Sequence, residues 1–146
     1  MNGGWRRRCK LGAWHVINGR KEDTVDRSRA LFGGDGADIV FETAGSRVTA
    51  MQSFASVRRG GEVMIVGTIP GETPVDFLKI NREVKVQTVF RYANNFPMTI
   101  QAISSGRFDV LTMVTDEYTY EDVQKAFEES LSRKAEIIKG VIKISD

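Results

Sequence analysis

The spacing of hydrophobic and polar positions predicts strands that alternate with helices. Residues 63–66 form an uninterrupted apolar run closed by Gly67, which is typical of a strand covered on both faces of a parallel sheet. Residues 84–90 alternate apolar and polar side chains, which favours an edge strand with one face in the core. Ligands of open α/β sheets bind beyond the carboxyl ends of the strands, so we expect a ligand near Gly67 and Arg91.

A βαβ unit is predicted before these two strands. The largely apolar segment of residues 37–42 indicates a buried strand, and a tight turn leads from it to Ser46, which suits a helix N-cap. Apolar positions then recur at helical spacing until Gly60 and Gly61, where we expect the helix to end. Strand, helix and strand in this order predict parallel pairing with a right-handed crossover.

Further elements follow from the same kinds of pattern, and together they give an α/β fold. The sequence predicts a strand over residues 13–18, a helix over residues 21–32, a helix from Asn94 or Asn95 to Gly106, a helix opened by a capping box at residues 119–122, and a terminal strand over residues 137–144. Residues 75–81 are either a short helix or an irregular turn.

Composition narrows the class of protein. With 146 residues, 41% hydrophobic side chains and a net charge of +2, the chain can bury one ordinary core, and its charge indicates no acidic partner. It has no apolar stretch of the roughly 18–20 residues that cross a bilayer and no signal-peptide core, so we expect a cytoplasmic protein without a membrane partner. The single cysteine, Cys9, and single histidine, His15, exclude a disulfide framework and a zinc site built on several such ligands.

A basic cluster at the amino terminus offers one alternative function. Arg6, Arg7 and Arg8 lie next to Trp5, and such a cluster could contact the phosphates of a nucleic acid. A solvated chain end is the simpler interpretation, because Trp5 is the one aromatic side chain nearby. We therefore expect no nucleic-acid partner.

Nucleotide-binding motifs are absent from the sequence. The glycines of residues 33–36 follow a predicted helix and precede a predicted strand, which is the reverse of the order in the dinucleotide-binding G-x-G-x-x-G turn. No phosphate-binding G-x-x-x-x-G-K-[ST] loop is present either. The pattern alone indicates a parallel α/β domain that can bind a small ligand.

Four segments carry a resemblance to a known family. They are LGAWHVIN at residues 11–18, GADIVFETAG at 36–45, RGGEVMIVG at 59–67 and VFRYAN at 89–94. In this order they resemble consecutive segments of the medium-chain, zinc-dependent alcohol and polyol dehydrogenases. The last segment is most similar to the sorbitol and xylitol dehydrogenase branch. The resemblance covers residues 11–144 and only the C-terminal part of the family pattern.

The resemblance implies a fold and its division into domains. Residues 1–106 are expected to form the C-terminal half of a Rossmann-type dinucleotide-binding domain, with an incomplete parallel sheet. Residues 107–146 are expected to supply a helix and a strand that return to the catalytic domain. Nothing in the sequence matches the family's zinc-binding domain or its glycine turn for the pyrophosphate, so no metal ligand and no catalytic residue is assigned.

The resemblance also implies ligand contacts. The family places Val66, Gly67 and Thr68 along the nicotinamide, mostly through backbone groups, for which glycine permits a close approach. Further contacts implied by the family are Val89, Phe90 and Arg91 beside the same ring, Arg91 and Tyr92 toward the substrate, and Lys139 near the pyrophosphate. Arg91 suits this role because a guanidinium offers several donors. Val66 and Val89 can be core positions as well as contacts, whereas the alternatives for Arg91 and Lys139 are a solvated edge residue and a plain surface lysine.

Two functions remain open at this point. The first is the cofactor-side part of a polyol dehydrogenase that passes hydride from a secondary alcohol to NAD, with NADP not excluded. The parent family uses zinc for this reaction, so we expect the chain to be inactive alone. The second is a non-catalytic module that forms a homo-oligomer through the edge strand of residues 84–90.

Overall fold

The structure is a computed structural model that describes residues 11–80 and 82–145. It is an α/β arrangement of parallel strands and helices, as predicted. The basic cluster of residues 6–8, together with Trp5 and Cys9, lies outside the described residues. None of the described helices is long and apolar enough to cross a membrane.

The chain divides into two compact units, Ile17–Ala93 and a second formed by Met1–Val16 with Asn94–Asp146. The first contains α1 (Thr24–Leu31), β1 (Ala37–Glu42), α2 (Arg47–Ser56), β2 (Val57–Ile65), α3 (Phe77–Ile80) and β3 (Lys85–Thr88). The second contains α4 (Phe96–Ser104), a 3-10 turn (Leu111–Met113), β4 (Val114–Thr119), α5 (Val123–Ser132) and β5 (Lys139–Lys143). The domain boundary at residue 106 that the resemblance implies stays a prediction.

The first unit is built on a parallel sheet in the order β1-β2-β3. Val40 pairs with Val63 and Val63 pairs with Val86, so these three side chains share one face of the sheet. Helix α2 packs on β1 and β2, and Val63 is fully buried beneath it. The predicted βαβ unit is confirmed in its elements and its parallel pairing. The prediction that β1 is a buried strand is wrong, because Ile39 and Phe41 on its other face retain 50% and 59% of their accessible surface.

Helix α2 ends earlier than the sequence predicts. Its last residue is Ser56, and β2 begins at Val57, so Gly60 and Gly61 lie within the strand instead of ending the helix. A Cβ on Gly61 would lie 2.8 Å from the carbonyl oxygen of Asp38 in β1. Gly61 therefore permits a close approach at the point where the pairing of β1 and β2 is irregular.

Two strand predictions are wrong in part. Residues 63–66 are not covered on both faces, because Met64 and Ile65 are half-buried and Val66 is exposed. The edge strand is confirmed as β3, but all four of its residues are exposed, and Val86 retains 51% of its accessible surface. The predicted core face of β3 is therefore wrong.

The predicted strand at residues 13–18 does not form. These residues have no strand partner within the described chain, and Asn18 instead begins a turn in which its carbonyl accepts the N–H groups of Lys21 and Glu22 at 2.7 and 3.1 Å. His15 consequently lies in an irregular segment. A strand needs a neighbour to accept its backbone hydrogen bonds, and local pattern alone does not supply one.

The second unit contains a strand pair that the sequence predicts only in part. The terminal strand is confirmed as β5, which pairs in parallel with β4, a strand that the pattern does not predict. The predicted capping box is wrong, because Thr119 is the last residue of β4 and the helix begins four residues later, at Val123, with Asp122 as its N-cap. Helix α4 agrees with prediction, with Asn95 as its N-cap, Pro97 in the first turn and Gly106 at φ +72° after its end.

Candidate functional site

The loops that follow β1, β2 and β3 meet at one edge of the first unit. The N–H groups of Val66 and Gly67 both donate to the carbonyl oxygen of Glu42, at 2.8 and 2.9 Å. The N–H group of Val89 donates to the carbonyl oxygen of Ile65 at 2.9 Å. Two of the sequence-predicted segments, residues 66–68 and residues 89–91, therefore follow neighbouring strands at their carboxyl ends, where open α/β sheets bind ligands.

Side chains at this edge have surface available to a ligand. Val66 and Val89 are both partly exposed, so neither is a fully buried core residue. Thr68 and Tyr92 are exposed, and Phe90 keeps 84% of its accessible surface. The residues that follow β2 and β3 thus form a solvent-exposed surface with both apolar and polar side chains.

Arg91 adopts a conformation that is uncommon for its residue type. Its φ is +55°, in the left-handed region, and its guanidinium lies 5.3 Å from the centre of the Phe90 ring. A cation over the face of an aromatic ring is attracted by the ring's quadrupole. The pair places a positive group with several hydrogen-bond donors immediately beyond the end of β3.

Glu42, the last residue of β1, is a site residue that the sequence interpretation missed. Its side chain is buried, with only 2% of the residue exposed. The Oε1 atom accepts hydrogen bonds from the N–H groups of Ala44 and Gly45 at 3.0 and 2.9 Å and from the Thr49 hydroxyl at 2.6 Å. A carboxylate that ends an apolar strand and precedes a turn of small residues was the available signal.

Two glycines hold the first two loops close together. A Cβ on Gly67 would overlap the Oε2 atom of Glu42 and the backbone of Gly45. Gly45 has a φ of +68°, and a Cβ on it would lie 2.8 Å from the carbonyl oxygen of Thr68. Only glycine fits at these two contacts, so the sequence itself fixes the spacing between the loops.

Lys139, the remaining predicted contact, belongs to the second unit. It is the first residue of β5, its side chain is exposed, and its carbonyl accepts the Thr115 hydroxyl at 3.3 Å. A contact of its ammonium group with a pyrophosphate stays a prediction.

The part of the chain that the structure describes does not fit a zinc ion. Its residues include no group of three or more His, Cys, Asp or Glu side chains placed to hold a metal. A tetrahedral zinc site needs at least three such protein ligands. No step of a reaction is therefore assigned to a metal bound by these residues.

A charged network in the second unit joins β4 to α5. The Tyr118 hydroxyl donates to Glu129 at 2.9 Å, and Arg133 bonds to Asp116, Glu129 and Glu136 at 3.1, 2.8 and 3.1 Å. Hydrogen bonds from Tyr118 and Arg133 lower the pKa of the Glu129 carboxyl. Burial, together with the bond to Glu129, raises the pKa of Tyr118. The members of this network satisfy one another, so their role is to hold the helix on the strands.

An apolar cavity of the first unit, open to solvent, lies away from the strand ends. This cavity of about 300 Å³ is lined by residues of α1 and α2 and by the segment after the β2 loop: Val25, Val48, Met51, Gln52, Phe54, Ala55, Pro74, Val75 and Asp76. Its lining is mostly apolar, and it includes none of the predicted ligand contacts.

The sequence of this chain is similar to those of known dehydrogenases. Residues 6–105 match a family model described as zinc-binding dehydrogenase. The chain is 65% identical over 137 residues to the uncharacterized zinc-type alcohol dehydrogenase-like protein YdjJ of Escherichia coli strain K12, covering 94% of this chain and 40% of that protein. It is 37% identical over 137 residues to sorbitol dehydrogenase of Bacillus subtilis strain 168, covering 91% of this chain and 38% of that protein.

The fold of this chain is also similar to those of dehydrogenases with solved structures. A crystal structure of an Escherichia coli oxidoreductase/dehydrogenase of unknown specificity involved in membrane biogenesis matches with a TM-score of 0.88 and 65% identity, over 94% of this chain and 40% of that chain. The crystal structure of 2R,3R-butanediol dehydrogenase from Bacillus subtilis matches with a TM-score of 0.83 and 23% identity, over 97% and 41% of the two chains, and at this identity it shows the fold alone. The chain spans about 40% of the length of these relatives. The matches confirm the resemblance and the Rossmann-type α/β fold.

Proposed function

Because the chain belongs to the zinc-binding dehydrogenase family, we propose that it forms the cofactor-side part of an NAD-dependent polyol or alcohol dehydrogenase. The reaction of such an enzyme transfers a hydride from a secondary alcohol carbon to the nicotinamide ring. The observation that carries the proposal is the edge of the first unit, where the loops of residues 66–68 and 89–91 follow adjacent parallel strands. The similarity to a sorbitol dehydrogenase supports a polyol as the substrate.

The exposed strand ends fit a nicotinamide ring. The backbone of Gly67 and Thr68 and the side chains of Val66, Val89 and Phe90 would border the ring, since all five residues are at least partly exposed. Arg91 and Tyr92, next along the chain, would face a substrate hydroxyl or phosphate. Bound NAD or NADP supplies the hydride acceptor, and both carry the same nicotinamide ring.

We expect no oxidation of sorbitol or xylitol by the 146-residue chain alone. The family's reaction draws on zinc as a Lewis acid. The sequence contains one cysteine and one histidine, which is too few for the usual zinc ligand sets. Turnover with NAD by protein free of contaminating dehydrogenases would contradict this part of the proposal.

Thermal unfolding with and without millimolar cofactor tests the proposed site, because a ligand that binds only the folded chain raises the unfolding midpoint. We expect NAD and nicotinamide mononucleotide to raise the midpoint, since the proposed contacts lie on the nicotinamide side, and AMP to raise it less. Arg91→Ala should reduce the shift. Arg59→Ala, which removes an exposed arginine from β2, is the matched control and should leave the shift unchanged. A cooperative transition that none of the ligands moves would contradict the proposed site.

A second candidate function is association through the sheet edge, as a homo-oligomer. It is favoured by β3, whose four residues are all exposed at the outer side of the sheet. An unpaired strand edge can accept a strand from another chain. Size-exclusion chromatography with light scattering tests it: we expect Val86→Lys to lower the association that the unsubstituted chain shows, and a purely monomeric unsubstituted chain would contradict it.

A further inference from the structure

The buried carboxylate of Glu42 has no part in the contacts proposed so far. We propose that Glu42 is a positioning residue of the nicotinamide site, and that its charge favours the oxidised ring over the reduced ring. This inference rests on the proposed function, because it concerns the same strand-end loops. It adds a residue and a preference that neither the family resemblance nor the comparisons assign.

Glu42 fixes the loop that follows β1. Its Oε1 atom accepts the N–H groups of Ala44 and Gly45, and its bond to the Thr49 hydroxyl ties the same oxygen to the first turns of α2. The backbone carbonyl of Glu42 accepts the N–H groups of Val66 and Gly67 from the next loop. One residue therefore holds both loops through its backbone and its side chain.

The carboxylate also lies directly against the proposed cofactor loop. A side chain on Gly67 would overlap its Oε2 atom, so the loop of residues 66–68 packs on the carboxylate without an intervening group. A change in the position or volume of the Glu42 side chain would move the backbone that borders the ring. This contact is the route by which Glu42 can act on bound cofactor.

The charge of Glu42 is held by neutral donors. The groups bonded to it are two backbone N–H groups and one hydroxyl, and within residues 11–80 and 82–145 it forms no ion pair with a lysine or arginine. An oxidised nicotinamide ring carries a positive charge and a reduced ring carries none. A buried carboxylate near the ring therefore stabilises the oxidised form more than the reduced form.

The test compares the affinities of the full chain for NAD⁺ and NADH, by calorimetric titration, in three variants. Glu42→Gln keeps the shape and an acceptor oxygen but removes the charge, and we expect the ratio of NAD⁺ affinity to NADH affinity to fall by about threefold or more. Glu42→Asp keeps the charge, so its ratio of NAD⁺ affinity to NADH affinity should fall less than that of Glu42→Gln. Ser53→Ala, which removes another buried polar group from α2, is the control and should leave the ratio unchanged.

Hydrogen exchange of the backbone supplies a readout that does not need cofactor. We expect Glu42→Ala, but not Ser53→Ala, to speed exchange at the N–H groups of Ala44 and Gly45. Unchanged exchange there would overturn the positioning role. An unchanged NAD⁺ to NADH ratio in Glu42→Gln would overturn the charge preference while the proposed function stands, whereas no binding of either form by the unsubstituted chain would overturn the proposed function and the preference together.

Discussion

Gly67 lies in a contact between the loops after β1 and β2 that leaves no room for a side chain. A methyl group there would overlap the Glu42 carboxylate and the Gly45 backbone. We expect Gly67→Ala to lower the free energy of unfolding by about 1–3 kcal/mol, because overpacking forces neighbouring atoms apart. Urea unfolding followed by circular dichroism measures the change.

Gly140 in β5 offers a matched glycine for this experiment. A methyl group on Gly140 would lie 3.4 Å from a ring carbon of Tyr118, which is an ordinary van der Waals contact. Gly140→Ala should therefore stay within about 0.5 kcal/mol of the unsubstituted chain. Equal losses in the two variants would contradict a packing conflict specific to Gly67.

The hydrogen bond between Tyr118 and Glu129 predicts a dependence of stability on pH. The pKa of Glu129 is lower in the folded chain than its ordinary value, first because the Tyr118 hydroxyl bonds to it. A carboxyl of this kind stabilises the fold above its unfolded pKa, and this stabilisation is lost as pH falls through the folded pKa. We expect stability to decrease between about pH 5 and about pH 3, and less steeply in Tyr118→Phe.

Urea unfolding midpoints across this pH range measure the effect, with Tyr120→Phe as the control. Tyr120 is exposed and follows directly after β4, so removing its hydroxyl should not alter the loss of stability at acidic pH. If Tyr118→Phe and the unsubstituted chain lose stability in parallel, the hydroxyl does not set the pKa of Glu129.

At the scale of whole elements, two helix starts differ in how their N-caps work. The Ser46 hydroxyl accepts the N–H group of Thr49 at 3.1 Å at the start of α2, whereas the Asn95 side chain makes no capping bond at the start of α4. We expect Ser46→Ala to lower the free energy of unfolding by about 1 kcal/mol and Asn95→Ala to change it by less than about 0.5 kcal/mol. Thermal and urea unfolding of both variants test the difference, which a larger loss in Asn95→Ala would contradict.

The elements predicted best from sequence are those whose ends are marked by residues close to them in the chain. β1 is a largely apolar segment followed by a turn and an N-cap serine, and its bounds agree with residues 37–42, although only Glu42 of its six residues is buried. β2 is different, because Gly60 and Gly61 resemble a helix stop in isolation but lie within the strand, where Gly61 permits the close approach to β1. That distinction depends on a partner strand distant in sequence, which local pattern does not show.

The candidate site likewise has parts that local sequence predicts and parts that depend on residues brought together by the fold. The general rule for parallel sheets led to the strand ends near Gly67 and Arg91, and the family resemblance extended them to residues 66–68 and 89–91. The structure brings both segments to one edge of the sheet. Glu42 was missed because a carboxylate in an apolar run suggests an exposed strand end, whereas its burial depends on Ala44, Gly45 and Thr49 folding back onto it. Hydrogen-bond satisfaction of this kind is decided by tertiary structure.

For the molecule as a whole, the unequal faces of the first sheet have a consequence for its behaviour in solution. The face that carries Val63 is packed against α2, and Val63 is fully buried. The opposite face carries Ile39 and Phe41 of β1, and Phe41 keeps 59% of its accessible surface. Adjacent exposed apolar side chains of this kind mark surfaces that bind apolar molecules or associate.

We therefore expect the two faces to respond in opposite ways to substitution. Phe41→Thr should change the free energy of unfolding by less than about 1 kcal/mol, because its side chain is mostly exposed, and should lower the binding of the apolar dye ANS and any self-association. Val63→Ala should lower the free energy of unfolding by about 2 kcal/mol, because it removes buried methyl groups and leaves a cavity. Dye fluorescence, light scattering and urea unfolding of the same samples separate the two effects. A loss of stability in Phe41→Thr as large as that in Val63→Ala would show that the Phe41 face is covered in solution, by a second copy if light scattering also reports a dimer.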